Sequence, residues 1–322
     1  MKFGVIGTGW IADEFVKGAN TVNGFEFAAV YSRTKEKGEA FAKGSNAAVY
    51  TDMNEFMKSG IEAVYIASPN SLHYSQSRLM LENGLHVLCE KPITVTPDEF
   101  EELCALAKKK NLVYTEAIMY LHLPERQVLK EAVNSIGKIM TAHFDFSQLS
   151  SKYPAFLRNE NPNIFNPEFR TGCLMDLGIY CIYPAVDLFG VPESITAQSG
   201  FLPTGADAYG TAVFTYSDKQ VTLTYSKVGQ SYLGSQIFGD EGTVKIPSVS
   251  QLTEMSVCAK EKQEKFISPD REKYVLMAFE AQDFYDYITD ESTRTHLDEC
   301  NEMIFKVSKI MKEIRDKANI GF

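Results

Sequence analysis

The feature that most restricts the fold of this chain is a glycine-containing turn within its first dozen residues. Residues 2–6 form a short apolar run that predicts a β-strand, and residues 7–12, GTGWIA, follow directly, where a helix is predicted to begin. Here Gly7 permits a tight turn, Gly9 lets a pyrophosphate approach the backbone, and Ala12 allows close helix packing. The motif predicts a dinucleotide-binding βαβ unit, and an ordinary βα turn that contains glycine is the plainer alternative.

The rest of the 322 residues shows two successive patterns. Up to about residue 120, apolar strands alternate with amphipathic helices, which is typical of a parallel sheet covered on both faces. From about residue 139, strands follow one another through short turns and predict an open, mostly antiparallel sheet, and helices at 276–289 and 297–317 end the chain. We therefore expect an α/β protein with two domains: residues 1–120, a dinucleotide-binding Rossmann domain with a doubly wound parallel sheet, and residues 121–322, an α+β domain for substrate binding and oligomerisation. The predicted strands are residues 2–6, 25–31, 49–50, 63–66, 86–89 and 113–115, then 140–148, 195–201, 208–216, 220–226, 235–238 and 243–246.

The overall composition excludes several functional classes. A formal net charge of -10 gives no general attraction for nucleic acid or anionic lipid. The six cysteines form no C-x-x-C pair, the five histidines show no metal-ligand spacing, and the predicted strand at residue 2 leaves no room for a secretion signal. No stretch approaches the roughly 20 apolar residues of a membrane helix. We expect a soluble cytoplasmic protein with reduced thiols, no resident metal, and no nucleic-acid or membrane partner.

The end of the second predicted strand indicates which dinucleotide is bound. An enzyme that uses NAD usually places Asp or Glu there for the ribose 2′-hydroxyl, whereas this chain has Ser32, Arg33 and Thr34. A guanidinium and two hydroxyls suit a 2′-phosphate, so NADP(H) is preferred and NAD(H) is possible. Arg33 as a solvated surface residue is the alternative, and Lys35 and Lys37 are either phosphate contacts or exposed helix charges.

Three further motifs follow in order along the chain. Residues 67–73 (ASPNSLH) and 89–92 (CEKP) each come directly after an apolar strand, and residues 176–180 read DLGIY. Together with residues 7–12, they resemble the glucose-fructose oxidoreductase/inositol dehydrogenase/rhizopine catabolism (Gfo/Idh/MocA) oxidoreductase family over nearly the whole chain. The tyrosine at the end of the last motif resembles the dimeric dihydrodiol dehydrogenase/xylose dehydrogenase branch.

The resemblance implies an NAD(P)-dependent dehydrogenase or reductase that acts on CH–OH groups. It places Lys91 beside the nicotinamide and the reacting oxygen, with Glu90 anchoring the turn and the bond from Lys91 to Pro92 in the cis form. The expected cofactor contacts are Gly7, Thr8, Gly9, Trp10, Ile11, Ser32, Arg33, Ser68, Pro69, Asn70, His73, Glu90 and Lys91. His73 is either a contact of the cofactor or substrate or a residue that starts a helix.

Hydride transfer at a carbon that bears oxygen requires a proton to move on that oxygen. Tyr180 is the candidate for that step, with Lys91 polarising the oxygen and stabilising the phenolate. Asp176 lies four residues before Tyr180, so a helix places both on one face, where Asp176 binds a substrate hydroxyl or tunes Lys91. The expected catalytic residues are therefore Lys91, Asp176 and Tyr180. The plainer alternatives are a surface lysine, a helix cap and a core tyrosine.

Two segments depart from the family pattern. Leu121 stands where an arginine is often found, while Met119, Tyr120 and His122 beside it are candidate pocket residues. The glycine-rich run before the aspartate is reduced to residues 171–173 (TGC). Arg158 and Arg170 are either contacts of a polar substrate or ordinary salt-bridge partners.

We expect transfer of hydride between NADP(H) and a hydroxyl or carbonyl carbon of a small sugar, cyclitol or vicinal-diol-like substrate. The alternative is a catalytically silent NAD(P)-binding regulatory or scaffold protein of the same fold, and reduction of a conjugated or imine substrate is a third possibility. Because one face of an antiparallel sheet is left open for a partner, a homodimer or dimer of dimers through the C-terminal sheet is expected.

Overall fold

The computed structural model describes residues 1–260 and 263–322. Strands and helices alternate in the first third of the chain, and strands then dominate until two long helices end it. The strands are β1 (Lys2–Ile6), β2 (Glu26–Tyr31), β3 (Ala48–Tyr50), β4 (Ala63–Ile66), β5 (His86–Glu90), β6 (Tyr114–Ala117), β7 (Ile139–Ser147), β8 (Ser194–Phe201), β9 (Asp207–Thr215), β10 (Gln220–Ser226), β11 (Ser235–Gly239), β12 (Gly242–Ile246), β13 (Ser256–Ala259) and β14 (Lys265–Phe266).

The helices connect the strands of the first sheet and cover parts of both sheets. They are α1 (Trp10–Ala19), α2 (Lys35–Ala42), α3 (Met53–Met57), α4 (Asn70–Glu82), α5 (Pro97–Lys109), α6 (Met119–His122), α7 (Glu125–Asn134), α8 (Tyr153–Leu157), α9 (Ile179–Phe189), α10 (Lys273–Thr289) and α11 (Arg294–Ala318). Shorter 3₁₀ turns lie at Asn163–Phe165, Pro167–Phe169 and Glu291–Thr293, and a π-helical segment at Leu174–Gly178 runs directly into α9.

The chain divides into two compact units. Unit 1 comprises Met1–His122 and Glu272–Phe305, and unit 2 comprises Leu123–Arg271 and Lys306–Phe322. Unit 1 thus includes a segment that lies far along the chain from the βαβ pattern. The functional division into residues 1–120 and 121–322 stays a prediction.

Unit 1 contains a six-stranded sheet in the order β3-β2-β1-β4-β5-β6, with every neighbouring pair parallel. The apolar strands β1 and β4 are buried almost throughout, as expected for a sheet covered on both faces. The strand order reverses between β1 and β4, and ligands of such sheets bind outside the carboxyl ends of the strands at this point. The predicted Rossmann sheet is confirmed.

Helix α10 joins unit 1 by packing closely against α1. A Cβ atom at Gly18, in the last turn of α1, would lie 2.6 Å from the carbonyl oxygen of Tyr274 in α10. The close approach of the two backbones explains why this position has no side chain. This contact between distant parts of the chain is not visible as a local pattern in the sequence.

Unit 2 contains an eight-stranded sheet in the order β14-β13-β12-β11-β7-β10-β9-β8. Its neighbours are antiparallel except for β7 and β10, which are parallel. The predicted open, mostly antiparallel sheet is confirmed, with strand ends within about one residue of the prediction. The prediction missed β13 and β14 because they are only four and two residues long.

One stretch corrects the expectation that no part of the chain approaches the length and apolar character of a membrane helix. Within the described residues, Pro167–Phe189 is long and apolar enough to cross a membrane, and 72% of its most apolar window is buried inside the protein. Burial of this kind is what the core helix of a folded domain shows, so the membrane signal is weak.

Candidate active site

Four loops of unit 1 share one edge of the parallel sheet. They follow β1, β2, β4 and β5, and the carboxyl ends of parallel strands lie on the same side. All the residues expected to contact the cofactor lie in these loops, in the last residue of β5 or in the first turns of α1 and α4. The structure therefore brings this set to one edge of unit 1.

The glycine turn leaves room for phosphate groups. Gly7 has a positive φ of 116°, and a Cβ atom there would lie 2.5 Å from the carbonyl oxygen of Ala67, so the loops after β1 and β4 touch. A Cβ atom on Gly9 would meet no atom of the described residues within 4 Å, and no side chain among them caps the first turn of α1. The open space and the uncapped N–H groups at this helix start fit a pyrophosphate.

The loop after β2 presents no carboxylate. Ser32 is buried, and its N–H donates a hydrogen bond to the carbonyl oxygen of Tyr50 at 3.0 Å, which holds the start of the loop. Arg33 and Thr34 are exposed beyond this anchor. A guanidinium and a hydroxyl at this position fit the 2′-phosphate of NADP(H). They do not provide the carboxylate oxygens that accept a hydrogen bond from the ribose 2′-hydroxyl of NAD(H).

His73 connects the loops after β4 and β5. Its Nδ1 atom lies 2.8 Å from the carbonyl oxygen of Pro92 and its Nε2 atom 2.8 Å from that of Ser68. Burial lowers the pKa of His73, and the Lys91 charge lowers it further. The hydrogen bonds to the Pro92 and Ser68 carbonyl groups oppose this shift. The ring therefore holds the two loops together, and its contact with a cofactor or substrate stays a prediction.

The turn that carries Lys91 rests on a buried carboxyl group. The Lys91–Pro92 peptide bond is cis, as expected. Tyr65 donates a hydrogen bond from its hydroxyl to Oε1 of Glu90, and the Lys91 N–H donates to Oε2 at 3.2 Å. The Tyr65 ring stacks on Phe15 with centroids 3.8 Å apart, which fixes the tyrosine. Burial raises the pKa of Glu90, while the Lys91 and Lys273 charges and the Tyr65 hydrogen bond oppose the shift.

Two charged residues of α10 that the sequence analysis missed act on the same turn. Lys273 and Glu280 lie seven residues apart, which is two helical turns, and therefore share one face of α10. Burial lowers the pKa of Lys273, against the charges of Glu280 and Glu90. Glu280 is only 1% exposed, and neither carboxyl oxygen has a hydrogen-bond partner among the described residues. Charged residues spaced at seven on an otherwise apolar helix face are the signal that would have identified them.

In unit 2, two predicted catalytic residues reach the surface from a buried segment. Asp176 and Tyr180 are half-buried, and every other residue from 171 to 186 is buried. Asp176 lies in the π-helical segment and Tyr180 in the first turn of α9, and π-helical turns often occur at functional sites. The rings of Tyr180 and Phe146 pack edge to face, with their centroids 5.5 Å apart. Asp176 and Tyr180, which the sequence analysis paired, are therefore the two residues of this stretch that solvent reaches.

Asp176 is paired with a lysine that the sequence analysis missed. The Lys227 Nζ atom donates to Oδ2 of Asp176 at 2.7 Å. In β10, Val221, Leu223 and Tyr225 alternate on the buried face, and Lys227 continues this alternation just past the strand end. A lysine in phase with buried residues is a signal that a sequence can show.

The other predicted pocket residues have mixed outcomes. Met119, Tyr120, Leu121 and His122 are all buried, and His122 Nδ1 lies 2.8 Å from Oδ2 of Asp283. The exposed Arg158 forms an ion pair with Glu160, and the Arg170 guanidinium lies 5.8 Å from the centre of the Phe322 ring. All six cysteines are free thiols. In residues 1–260 and 263–322, no group of three or more His, Cys, Asp or Glu side chains has the arrangement of a metal site.

Comparison with known proteins decides the family. A family model described as an oxidoreductase family with an NAD-binding Rossmann fold matches residues 1–118, and the GFO/IDH/MocA C-terminal domain matches residues 127–245. The chain belongs to the Gfo/Idh/MocA oxidoreductase family. This Gfo/Idh/MocA member therefore carries an NAD(P)-binding Rossmann domain and is an oxidoreductase, as the resemblance implied.

Relatives of this Gfo/Idh/MocA protein match most or all of its length. It is 36% identical over 325 residues to scyllo-inositol 2-dehydrogenase (NADP(+)) IolU of Bacillus subtilis, an alignment that covers 100% of this chain and 98% of the relative. It is 27% identical to trans-1,2-dihydrobenzene-1,2-diol dehydrogenase of Xenopus tropicalis, over 84% of this chain and 82% of that protein. The structure of a 3-ketoreductase from Actinomadura kijaniata in complex with NADP matches with a TM-score of 0.82 and 20% identity, covering 99% of this chain and 97% of the other. The last comparison supports the fold.

Proposed function

We propose that this protein is an NADP(H)-dependent dehydrogenase that interconverts a hydroxyl and a carbonyl on a sugar, a cyclitol or a vicinal-diol-like molecule. The observation that carries the proposal is the pair Asp176 and Tyr180, which are the two accessible side chains in an otherwise buried segment of a family oxidoreductase. A carboxylate and a phenol one helical turn apart suit a substrate with several hydroxyl groups. The names of the relatives, an inositol dehydrogenase and a dihydrodiol dehydrogenase, support this substrate class.

The residues of unit 1 are proposed to hold the cofactor. The N–H groups at the start of α1 bind the pyrophosphate beside Gly7, Thr8 and Gly9, with Trp10 and Ile11 at the edge of that turn. Arg33 and Ser32 bind the 2′-phosphate on the adenosine ribose. The loop from Ser68 to His73 lies where the strand order of the sheet reverses, which is where cofactors of such sheets bind. When bound, NADP(H) supplies or accepts the hydride.

The remaining roles are proposed for four side chains, of which Glu90 acts only by holding the turn. Lys91 polarises the reacting oxygen by placing an ammonium beside it, and Glu90 holds the backbone of the Lys91 turn. As the phenolate, Tyr180 accepts the hydroxyl proton in oxidation, and as the phenol it donates that proton to the carbonyl oxygen in reduction. Asp176 accepts a hydrogen bond from a second hydroxyl of the substrate.

Initial rates on a substrate panel test the proposed function. We expect the absorbance of reduced nicotinamide to rise when the protein is mixed with NADP⁺ and one or more of scyllo-inositol, D-xylose and trans-1,2-cyclohexanediol, and to rise more slowly with NAD⁺. Binding of NADPH, followed by its fluorescence, is the control that the protein is folded and loaded. Tight NADPH binding without turnover of any panel member in either direction would contradict the proposal and favour a silent cofactor-binding protein.

Replacing Arg33 is expected to change the choice of cofactor. Arg33→Ala removes charge-assisted hydrogen bonds to the 2′-phosphate, and such bonds contribute about 1.5–3 kcal/mol, so KM for NADP⁺ should rise by about 10- to 100-fold. KM for NAD⁺ should stay within about twofold, since NAD⁺ has no such phosphate. Lys58→Ala, which removes another exposed cation of unit 1, is the matched control. Equal changes in both KM values would show that Arg33 does not read the 2′-phosphate.

Assembly and location stay predictions. We propose a homodimer or a dimer of dimers through the unit 2 sheet, because alternate residues of β10, Thr222, Thr224 and Ser226, remain half-exposed on one face. A face of this kind is suited to covering by a second copy. A cytoplasmic location is proposed on the absence of any strong membrane signal in the described residues.

A further inference from the structure

The ion pair between Asp176 and Lys227 is asymmetric in its exposure. The Lys227 side chain is 2% exposed, whereas the Asp176 side chain is 28% exposed. The ammonium is therefore enclosed, and the carboxylate is the partner that solvent and ligands reach. A buried cation of this kind is maintained only when other groups compensate for its lost hydration.

The surroundings of Lys227 supply this compensation. Its Nζ atom lies 5.8 Å from the centre of the Phe165 ring, within the range of a cation–π interaction. The charge of Lys227 also acts on Asp207 in β9 and on Cys173, which precedes the π-helical segment. Burial raises the pKa of Asp207, and the Lys227 charge opposes that shift.

Asp207 attaches the same segment through its backbone. Its Oδ2 atom accepts a hydrogen bond from the Leu174 N–H at 2.7 Å, at the start of the π-helical segment. A Cβ atom on Gly172 would collide with the Asp207 carboxyl group, so a larger residue there would displace this carboxyl group. The Lys227 charge thus acts on two carboxyl groups, one that holds the backbone of the segment and one that the segment carries.

We propose that Lys227 is a positioning residue that fixes the Asp176 carboxylate as an acceptor for a substrate hydroxyl next to the reacting one, which selects vicinal diols over simple alcohols. This inference rests on the proposed function. The Lys227 ammonium occupies one oxygen of Asp176 and restricts its rotation. Side chains four residues apart on a helix have Cβ atoms about 5–6 Å apart, so a substrate oxygen at Tyr180 brings its neighbouring hydroxyl toward Asp176.

Two probes that differ by one hydroxyl test the role of Lys227. With NADP⁺, wild-type protein is expected to oxidise trans-1,2-cyclohexanediol with a kcat/KM at least about 10-fold above that for cyclohexanol, the ratio that one charge-assisted hydrogen bond of about 1.5 kcal/mol gives. Lys227→Met should remove most of this preference by raising KM for the diol, with cyclohexanol changed by less than about twofold. NADPH binding, measured by fluorescence, should stay unchanged.

A double-mutant cycle separates positioning from general structural support. If Lys227 acts through Asp176, adding Lys227→Met to Asp176→Asn should lower kcat/KM for the diol no further. Lys245→Met, which removes an ion-paired lysine of β12, is the matched control and should keep the diol preference. Equal losses on diol and cyclohexanol, or losses that add in the double variant, would overturn the proposal.

A second variant protects the test against misfolding. Lys227→Met leaves the buried Asp207 without its nearby cation, so Lys227→Met/Asp207→Asn removes both charges while an amide oxygen still accepts from the Leu174 N–H. This double variant should also lose the diol preference. A wild-type protein that turns over panel substrates without preferring the diol would refute only the inference, and no turnover at all would refute the proposed function with it.

Discussion

Tyr180→Phe is expected to lower kcat by about 10²- to 10⁴-fold, the usual contribution of a positioned acid–base group. The substitution removes only the hydroxyl that would carry the proton. The packing of the ring against Phe146 is retained, so folding and substrate affinity should change little. Initial rates with NADP⁺ and the best panel substrate, together with the melting temperature, measure the two effects separately.

Lys91→Ala should give a loss of similar size, because it removes the ammonium proposed to polarise the reacting oxygen.

Tyr216→Phe is the matched control for Tyr180→Phe, since it removes a tyrosine hydroxyl that donates to the Gly190 carbonyl oxygen elsewhere in unit 2. The control should keep its activity. A Tyr180→Phe protein as active as wild type would show that another group moves the proton.

Glu280→Gln is expected to have a higher free energy of unfolding than the wild-type protein, and this difference should grow as the pH rises. Burial raises the pKa of Glu280 well above its ordinary value, the charges of Glu90 and Asp283 add to the shift, and Lys273 opposes it. The folded protein therefore retains a proton that the unfolded chain releases above about pH 4.3, and wild-type stability falls as pH rises toward the folded pKa. Glutamine has nearly the shape of the protonated carboxyl group and does not titrate.

The expected difference between variant and wild type grows by about 1.4 kcal/mol for each pH unit above about pH 5, until the folded pKa is reached. Urea unfolding at pH 6, 7 and 8 measures it. Glu125→Gln provides the contrast, because Glu125 is also buried but accepts hydrogen bonds from the Arg271 Nε and Nη2 atoms at 3.1 and 3.0 Å. That variant should be destabilised at all three pH values. A loss of stability in Glu280→Gln at every pH would mean that Glu280 acts as a charged partner of Lys273.

The fold could be predicted to the extent that it is written in local patterns. Alternating and continuous apolar runs located the parallel sheet and most strands of the second sheet, and the glycine motif after β1 predicted the turn that we propose binds the cofactor phosphates. The short β13 and β14 contain too few residues to show a period. The addition of α10 to unit 1 depends on a close backbone contact at Gly18 that no local pattern announces.

The candidate site divides in the same way. Lys91, Asp176 and Tyr180 stand in short motifs that resemble those of the family, so the sequence analysis could propose them as catalytic residues. Lys227, just past the end of β10, and Asp207, at the start of β9, act on the same segment through contacts across 51 and 33 residues, respectively. Burial decides their role, and a charged residue in a sequence is ordinarily taken to be exposed.

The parallel pairing of β7 and β10 has a consequence for where this chain can vary in sequence without a change in its sheet. After β7 the chain leaves the sheet, forms the segment with Asp176 and Tyr180, returns through β8 and β9, and only then forms β10 beside its starting point. The segment that we propose meets the substrate therefore lies, along the chain, between two strands that pair with each other. We expect insertions between residues 148 and 193 to leave the register of β7 and β10 intact, because the paired residues 141–147 and 220–226 lie outside that stretch.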